Sequence, residues 1–114
     1  MIIWPAVIKY EGEGELAFVP NESEWISNSD LHLASYVDGD LLIDAMGAIY
    51  SLHDKANTQI MPNFTGLYFD KAKVNQIVKE HMSCLDQCCV AKFSIDSIAE
   101  GWLAVGLTVV DNAP

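Results

Sequence analysis

Phe64-Thr65-Gly66-Leu67-Tyr68-Phe69-Asp70-Lys71-Ala72-Lys73-Val74-Asn75-Gln76-Ile77-Val78-Lys79-Glu80-His81-Met82-Ser83-Cys84-Leu85 changes character at Asp70, and that change sets the fold class. Phe64 to Phe69 is short and aromatic and is bounded by Pro62 and Asp70, the composition of a strand. Beyond Asp70, Val74, Ile77, Val78, His81 and Leu85 recur at offsets of three, four, seven and eleven. Only a 3.6-residue period brings all five to one face, so a helix is predicted with Asp70 as its cap.

Toward the beginning of the chain, Ile2 to Tyr10 is rich in β-branched and aromatic residues. Glu11-Gly12-Glu13-Gly14 supplies a permissive turn before Glu15-Leu16-Ala17-Phe18-Val19, which predicts a β-hairpin with Pro5 where its strand begins or lies at an edge. Asn21 stands three residues before Glu24, a capping arrangement for a short helix carrying Trp25 and Ile26. Leu41-Leu42-Ile43 and Ala48 to Leu52, set off by Asp38-Gly39-Asp40 and Ala45-Met46-Gly47, predict a second hairpin. His53 to Pro62 is polar and without periodicity and reads as a loop.

Toward the end, Gln87 to Phe93 returns to strand character, and Ile95, Ile98, Ala99, Trp102 and Val105 again follow helical spacing with Ser94 as cap. Gly101 and Gly106 weaken that helix by roughly 1 kcal/mol each, which leaves open a strand over Trp102 to Val110 paired with Cys89 to Ile95. Residues 1–114 are expected to form a single α+β domain. Its mixed or antiparallel sheet of five to six strands should carry two longer helices packed on one face, leaving the other face without such a layer.

Sixteen acidic side chains stand against six lysines, and there is no arginine. A formal net charge of −10 without a guanidinium fork disfavours nucleic acid and anionic membrane surfaces, which need a positive patch. The longest apolar runs, Met1 to Ile8 and Trp102 to Val110, fall far short of the ~20 residues of a spanning helix. The first run has neither a basic leader nor a small-residue cleavage pattern. With Cys84, Cys88 and Cys89 crowded together in an odd number, the expectation is a reducing cytoplasm.

Trp4-Pro5-Ala6-Val7-Ile8-Lys9-Tyr10-Glu11-Gly12, Glu15-Leu16, Trp25, Asp30-Leu31, Leu42-Ile43-Asp44, Gly47 and Cys88-Cys89-Val90 resemble a family of small uncharacterised proteins from marine gammaproteobacteria. That family is a domain of unknown function. The resemblance implies a compact bacterial cytoplasmic protein and carries over no catalytic residue.

One local cluster offers chemistry. On a continuous helix His81, Cys84 and Cys88 lie on neighbouring turns, and they are soft ligands suited to zinc. Adjacent Cys88 and Cys89 point apart, however, and no second ligand pair stands elsewhere at finger spacing, so core packing of His81 and the thiols fits the same residues better. A reactive thiol at Cys84 beside His81 would need electropositive surroundings that this composition scarcely offers. Asp38, Asp40 and Asp44 lack the register, central glycine and closing glutamate of a calcium loop. Glu11, Glu13 and Glu15 read as edge-strand charges. There is no phosphate-binding glycine loop, nucleophile elbow or His-Glu-x-x-His motif.

The reading that remains is a non-catalytic module needing no cofactor. It would bind a protein partner or form a homo-oligomer through an apolar surface rimmed by acidic residues, favouring a basic partner in a salt-sensitive way. Trp4, Trp25 and Trp102 are the candidate interface anchors, because large aromatics dominate interfaces as well as cores. The alternative is a zinc-type or thiol-dependent protein using His81, Cys84 and Cys88 beside the loop from Asp54 to Asn63.

Overall fold

The structure is a computed structural model and describes all residues except 34, 54, 57–58, 87–92 and 111–114; at 55–56 and 108–110 it describes the backbone alone. The opening hairpin is β1 (Ala6–Lys9) with β2 (Leu16–Val19), in register from Ala6 opposite Val19 to Lys9 opposite Leu16. The second hairpin is β3 (Leu41–Ile43) with β4 (Ala48–Ser51). A short ribbon of β5 (Lys55–Ala56) and β6 (Gln59–Ile60) follows, and β7 (Asn63–Tyr68) returns to the main sheet. That sheet is five-stranded and antiparallel throughout, in the order β2-β1-β3-β4-β7.

Alternation along the strands divides the apolar residues between two cores. Val7, Leu16 and Ile43 meet Val74, Ile77 and Val78 of α3 (Lys71–Cys84) and Trp102 and Val105 of α4 (Ile98–Val110). The two long helices therefore share one face. The opposite face, carrying Ala6, Ile8, Leu42 and Tyr50, is also covered, by Trp25 of α1 (Glu22–Ser27), Leu31 of α2 (Ser29–Leu33) and Ile60 of β6. Burial on both sides explains why Ala6-Val7-Ile8 is apolar without interruption, a pattern that a sheet with one wet face would not produce.

Capping follows local chemistry. Asn21 accepts from the Glu24 amide and Asp70 from the Lys73 amide, each at 2.8 Å. In α4 the cap is Ser97 rather than Ser94: its Oγ accepts from the Glu100 amide. The helix prevails over the strand alternative because its glycines occupy the closest contacts. A Cβ on Gly101 would stand 3.3 Å from Val74 and Ile95, and one on Gly106 would stand 2.7 Å from the Phe18 ring, so their low propensity is the cost of bringing α4 against α3 and β2.

The segment read as a loop from His53 to Pro62 includes the β5–β6 ribbon, which a buried histidine holds. His32 Nδ1 accepts from the Ile60 amide at 3.0 Å, which leaves Nε2–H to donate to the Trp25 carbonyl at 2.6 Å. One ring thus links α1, α2 and β6. The strand predicted over Gln87 to Phe93 lies almost wholly outside the described residues. Among the described residues, no helix is long and apolar enough to cross a membrane.

Candidate interaction surface

Of the residues singled out for chemistry, His81 is engaged in holding the fold. His81 is buried, and its Nδ1 accepts the Leu16 amide of β2 at 2.9 Å. Burial lowers its pKa from the ordinary histidine value, against the opposing pull of the Glu15 carboxylate. Cys84 is exposed at the end of α3, with its Sγ facing Gly14; Cys88 and Cys89 lie outside the described residues. Among the described residues, no group of three His, Cys, Asp or Glu side chains is placed to hold a metal ion.

The acidic residues of the two hairpins divide in the same way. Asp40 accepts from the Glu11 and Val37 amides, while Asp38 faces His53 at 3.5 Å. Asp44, buried in the β3–β4 turn, accepts three backbone amides: Met46 and Ala48 on Oδ1 and Ile3 on Oδ2. Its carbonyl receives the Trp102 indole N–H at 2.8 Å. The Asp38/Asp40/Asp44 set is thus two turn clasps and a surface contact with a histidine.

Of the three tryptophans, Trp102 is wholly buried, Trp25 is buried against the His32 ring, and Trp4 packs half-buried on the core that contains Ala6, Ile8 and Leu42. Trp25 and Trp102 therefore present no broad face to a partner. Large apolar side chains are exposed at several places, among them Ile26 and Leu33 beside α1 and α2 and Leu103 and Leu107 on α4, and one group of them lies on β7. Among the described residues this strand pairs with β4 alone in the main sheet, and all six of its residues are exposed. Phe64, Leu67 and Tyr68 retain 50%, 64% and 62% of their accessible surface, and Met46 beside them 63%. Isolated exposed apolar residues are ordinary, whereas a contiguous group on an edge strand is a candidate for contact with another molecule.

A bulge gives β7 its shape. Tyr50 pairs with Phe64 and Ala48 with Tyr68, so two residues of β4 span the same length as four of β7. The excess is absorbed at Gly66, whose φ of 84° strongly favours glycine. The Thr65 hydroxyl repairs the broken ladder: it donates to the Ile49 carbonyl at 2.8 Å and accepts from the Leu67 amide at 3.2 Å. The Phe64 ring packs with its centroid 5.5 Å from those of both Tyr50, tilted at 46°, and Tyr68, edge-to-face at 71°. Together with Ile3, Met46 and Ala48 these rings line a hollow of about 240 Å³ beside the Asp44 turn. Burial, then the neighbouring Asp44 carboxylate and Tyr68, raise the Tyr50 pKa. Tyr50 therefore stays a neutral phenol, and its hydroxyl donates to the Met1 carbonyl at 3.0 Å.

Apart from Asp44, turned onto its amides, no acidic side chain lines this hollow, so the acidic rim expected around the apolar surface is not found there. The sequence signal for the surface was Gly66 inside an aromatic strand, since an interior glycine weakens a central ladder strand and fits a bulged edge.

No curated protein matches the chain. Among solved structures, it is similar to the NMR structure of a protein from Shewanella amazonensis, with a TM-score of 0.69 at 20% identity over 99% of this chain and 92% of the other. At that identity the likeness concerns the fold. A family model described as "protein structure with unknown function" matches residues 4–105, and the chain accordingly belongs to that family, DUF4144.

Proposed function

We propose that the chain is a non-catalytic protein-interaction module whose contact surface is β7 and the aromatic hollow beside it. The observation that carries the reading is the contrast between the two edges of the sheet. At β2 the Leu16 amide is taken by His81, and Phe18 is covered by α4. At β7 three large apolar side chains stand exposed on a bulged strand. Interface anchors are typically aromatic, and a hollow lined by Tyr50, Phe64 and Tyr68 suits an apolar side chain from a partner. Because acidic residues do not crowd this hollow, association there is expected to depend only weakly on salt.

A photo-crosslinking amino acid at Tyr68, compared with one at the exposed Lys71 position on α3, tests the reading in cells. A discrete adduct from position 68 and none from 71 is expected. An adduct from 71 with none from 68 would refute it.

A further inference from the structure

We infer that His32 is a pH-operated latch: charging its ring releases the β5–β6 ribbon and opens the core beneath Ile60, while the five-stranded sheet stays closed. Hydrogen-bond roles decide which contact breaks. His32 Nδ1 accepts from the Ile60 amide at 3.0 Å, and Nε2–H donates to the Trp25 carbonyl at 2.6 Å. A protonated ring carries N–H on both nitrogens and has no acceptor. The Trp25 bond therefore survives in either state, whereas the Ile60 amide would face an N–H. Proton and ribbon compete for one lone pair, so docking is complete while the ring is neutral and is lost as pH falls.

The ribbon is built to lift by itself. Among the described residues its strands pair only with each other, Lys55 with Ile60 and Ala56 with Gln59, and strands this short do not stand alone. Both ends of the excursion are fixed where Ser51 of β4 opposes Asn63 of β7, so the segment between them moves without disturbing the main sheet. Ile60 is its anchor, with a side chain buried in the core that includes Trp25, Tyr50 and Leu52. Once the ring is charged, keeping that anchor in place leaves a buried amide without an acceptor, which is strongly unfavourable.

The ring can meet water, and no countercharge holds it. A hollow of about 220 Å³ lined by Ile26, Ser27, Ser29, Leu33 and Gln59 opens beside His32, and none of these side chains is charged. On the elements packed round the ring, Glu22 and Glu24 of α1 and Asp30 of α2 are exposed. Asp30 precedes His32 by two residues and so projects about 200° away round the helix. No charge lies on β6, and β5 carries Lys55, of the same sign as a protonated ring. The other histidines lie elsewhere, His81 at the Leu16 amide and His53 beside Asp38. A carboxylate against the ring would stabilise the charge in the docked state; without one, the charged ring gains by opening to water.

The test is amide hydrogen exchange of the full chain by NMR from about pH 7.5 to about pH 5, expressed as protection relative to the unfolded chain, with the His32 ring nitrogen shifts followed in parallel. Wild type is compared with His32→Gln, which offers an acceptor oxygen and an NH₂ donor and does not titrate. As the His32 ring charges, protection of the Ile60 amide should fall by about tenfold or more, while amides of β1, β3 and β4 change by less than about twofold. His32→Gln should keep its Ile60 protection, and the Leu16 amide reports His81 separately. The latch is overturned by an Ile60 amide already unprotected at the upper pH, by Ile60 protection that persists after the ring has charged, by a ring that stays neutral until the whole sheet opens, or by an equal loss in His32→Gln. If His32→Gln does not fold, the coincidence of ring charging and Ile60 opening in wild type decides alone.

Discussion

Replacing Asp44 by alanine should cost more stability than any exposed cap in the molecule. The carboxylate accepts the amides of Ile3, Met46 and Ala48, and the residue is buried, so water cannot replace all three bonds in the folded state. A hydrogen bond to a charged group contributes about 1.5–3 kcal/mol, but three on one carboxylate are not independent. We expect a loss of about 4 kcal/mol, a large part of the ~5–15 kcal/mol that holds a domain of this kind. At a urea slope of ~2 kcal/mol/M the unfolding midpoint falls by about 2 M. Tryptophan fluorescence follows the transition, because Trp25 and Trp102 are both buried. Asp44→Asn keeps one acceptor oxygen but places an NH₂ group against a backbone donor, so it should fall between wild type and Asp44→Ala. Asp70→Ala removes one exposed cap bond, to the Lys73 amide, and should cost about 1 kcal/mol. A midpoint shift for Asp44→Ala no greater than that for Asp70→Ala would refute the view of Asp44 as the clasp of the hairpin.

Two further outcomes test the packing. Neutral His81 accepts the Leu16 amide through Nδ1, which a protonated ring cannot do, and its folded-state pKa lies below the ordinary 6.5. The unfolded chain therefore binds this proton more tightly. The contribution is complete above about pH 6.5 and is lost as pH falls through the lower folded value. Urea midpoints should drop on acidification more steeply for wild type than for His81→Gln, and equal slopes would remove His81 from the account. Gly106→Ala should destabilise by about 1 kcal/mol despite alanine's better helix propensity, because its Cβ would press on the Phe18 ring. A rise in melting temperature would show that the ring yields freely.

The elements that could be read in the sequence were those whose local chemistry and burial pattern agreed. The period from Val74 to His81 with Asp70 as cap, the glycine turn of the first hairpin and the Asn21 cap all stand in the structure as read. Cover on the second sheet face was not legible, because it depends on one histidine ring joining segments that are 28 residues apart. Nor was the placement of the exposed aromatics. Residue size favoured the tryptophans as anchors, but Trp102 is drawn inward by an acceptor 58 residues away, and which aromatic strand becomes the edge is settled by strand order. Local spacing records neither.

The two edge strands of the sheet are blunted by different means. A sheet with unbroken margins can recruit neighbours on each side and grow into a fibre. Here a histidine ring takes the Leu16 amide of β2, while at β7 the bulge and the Thr65 hydroxyl interrupt the row of backbone groups that such growth would copy. An aromatic edge broken in this way is a poor template for a fibre even where its rings stay exposed.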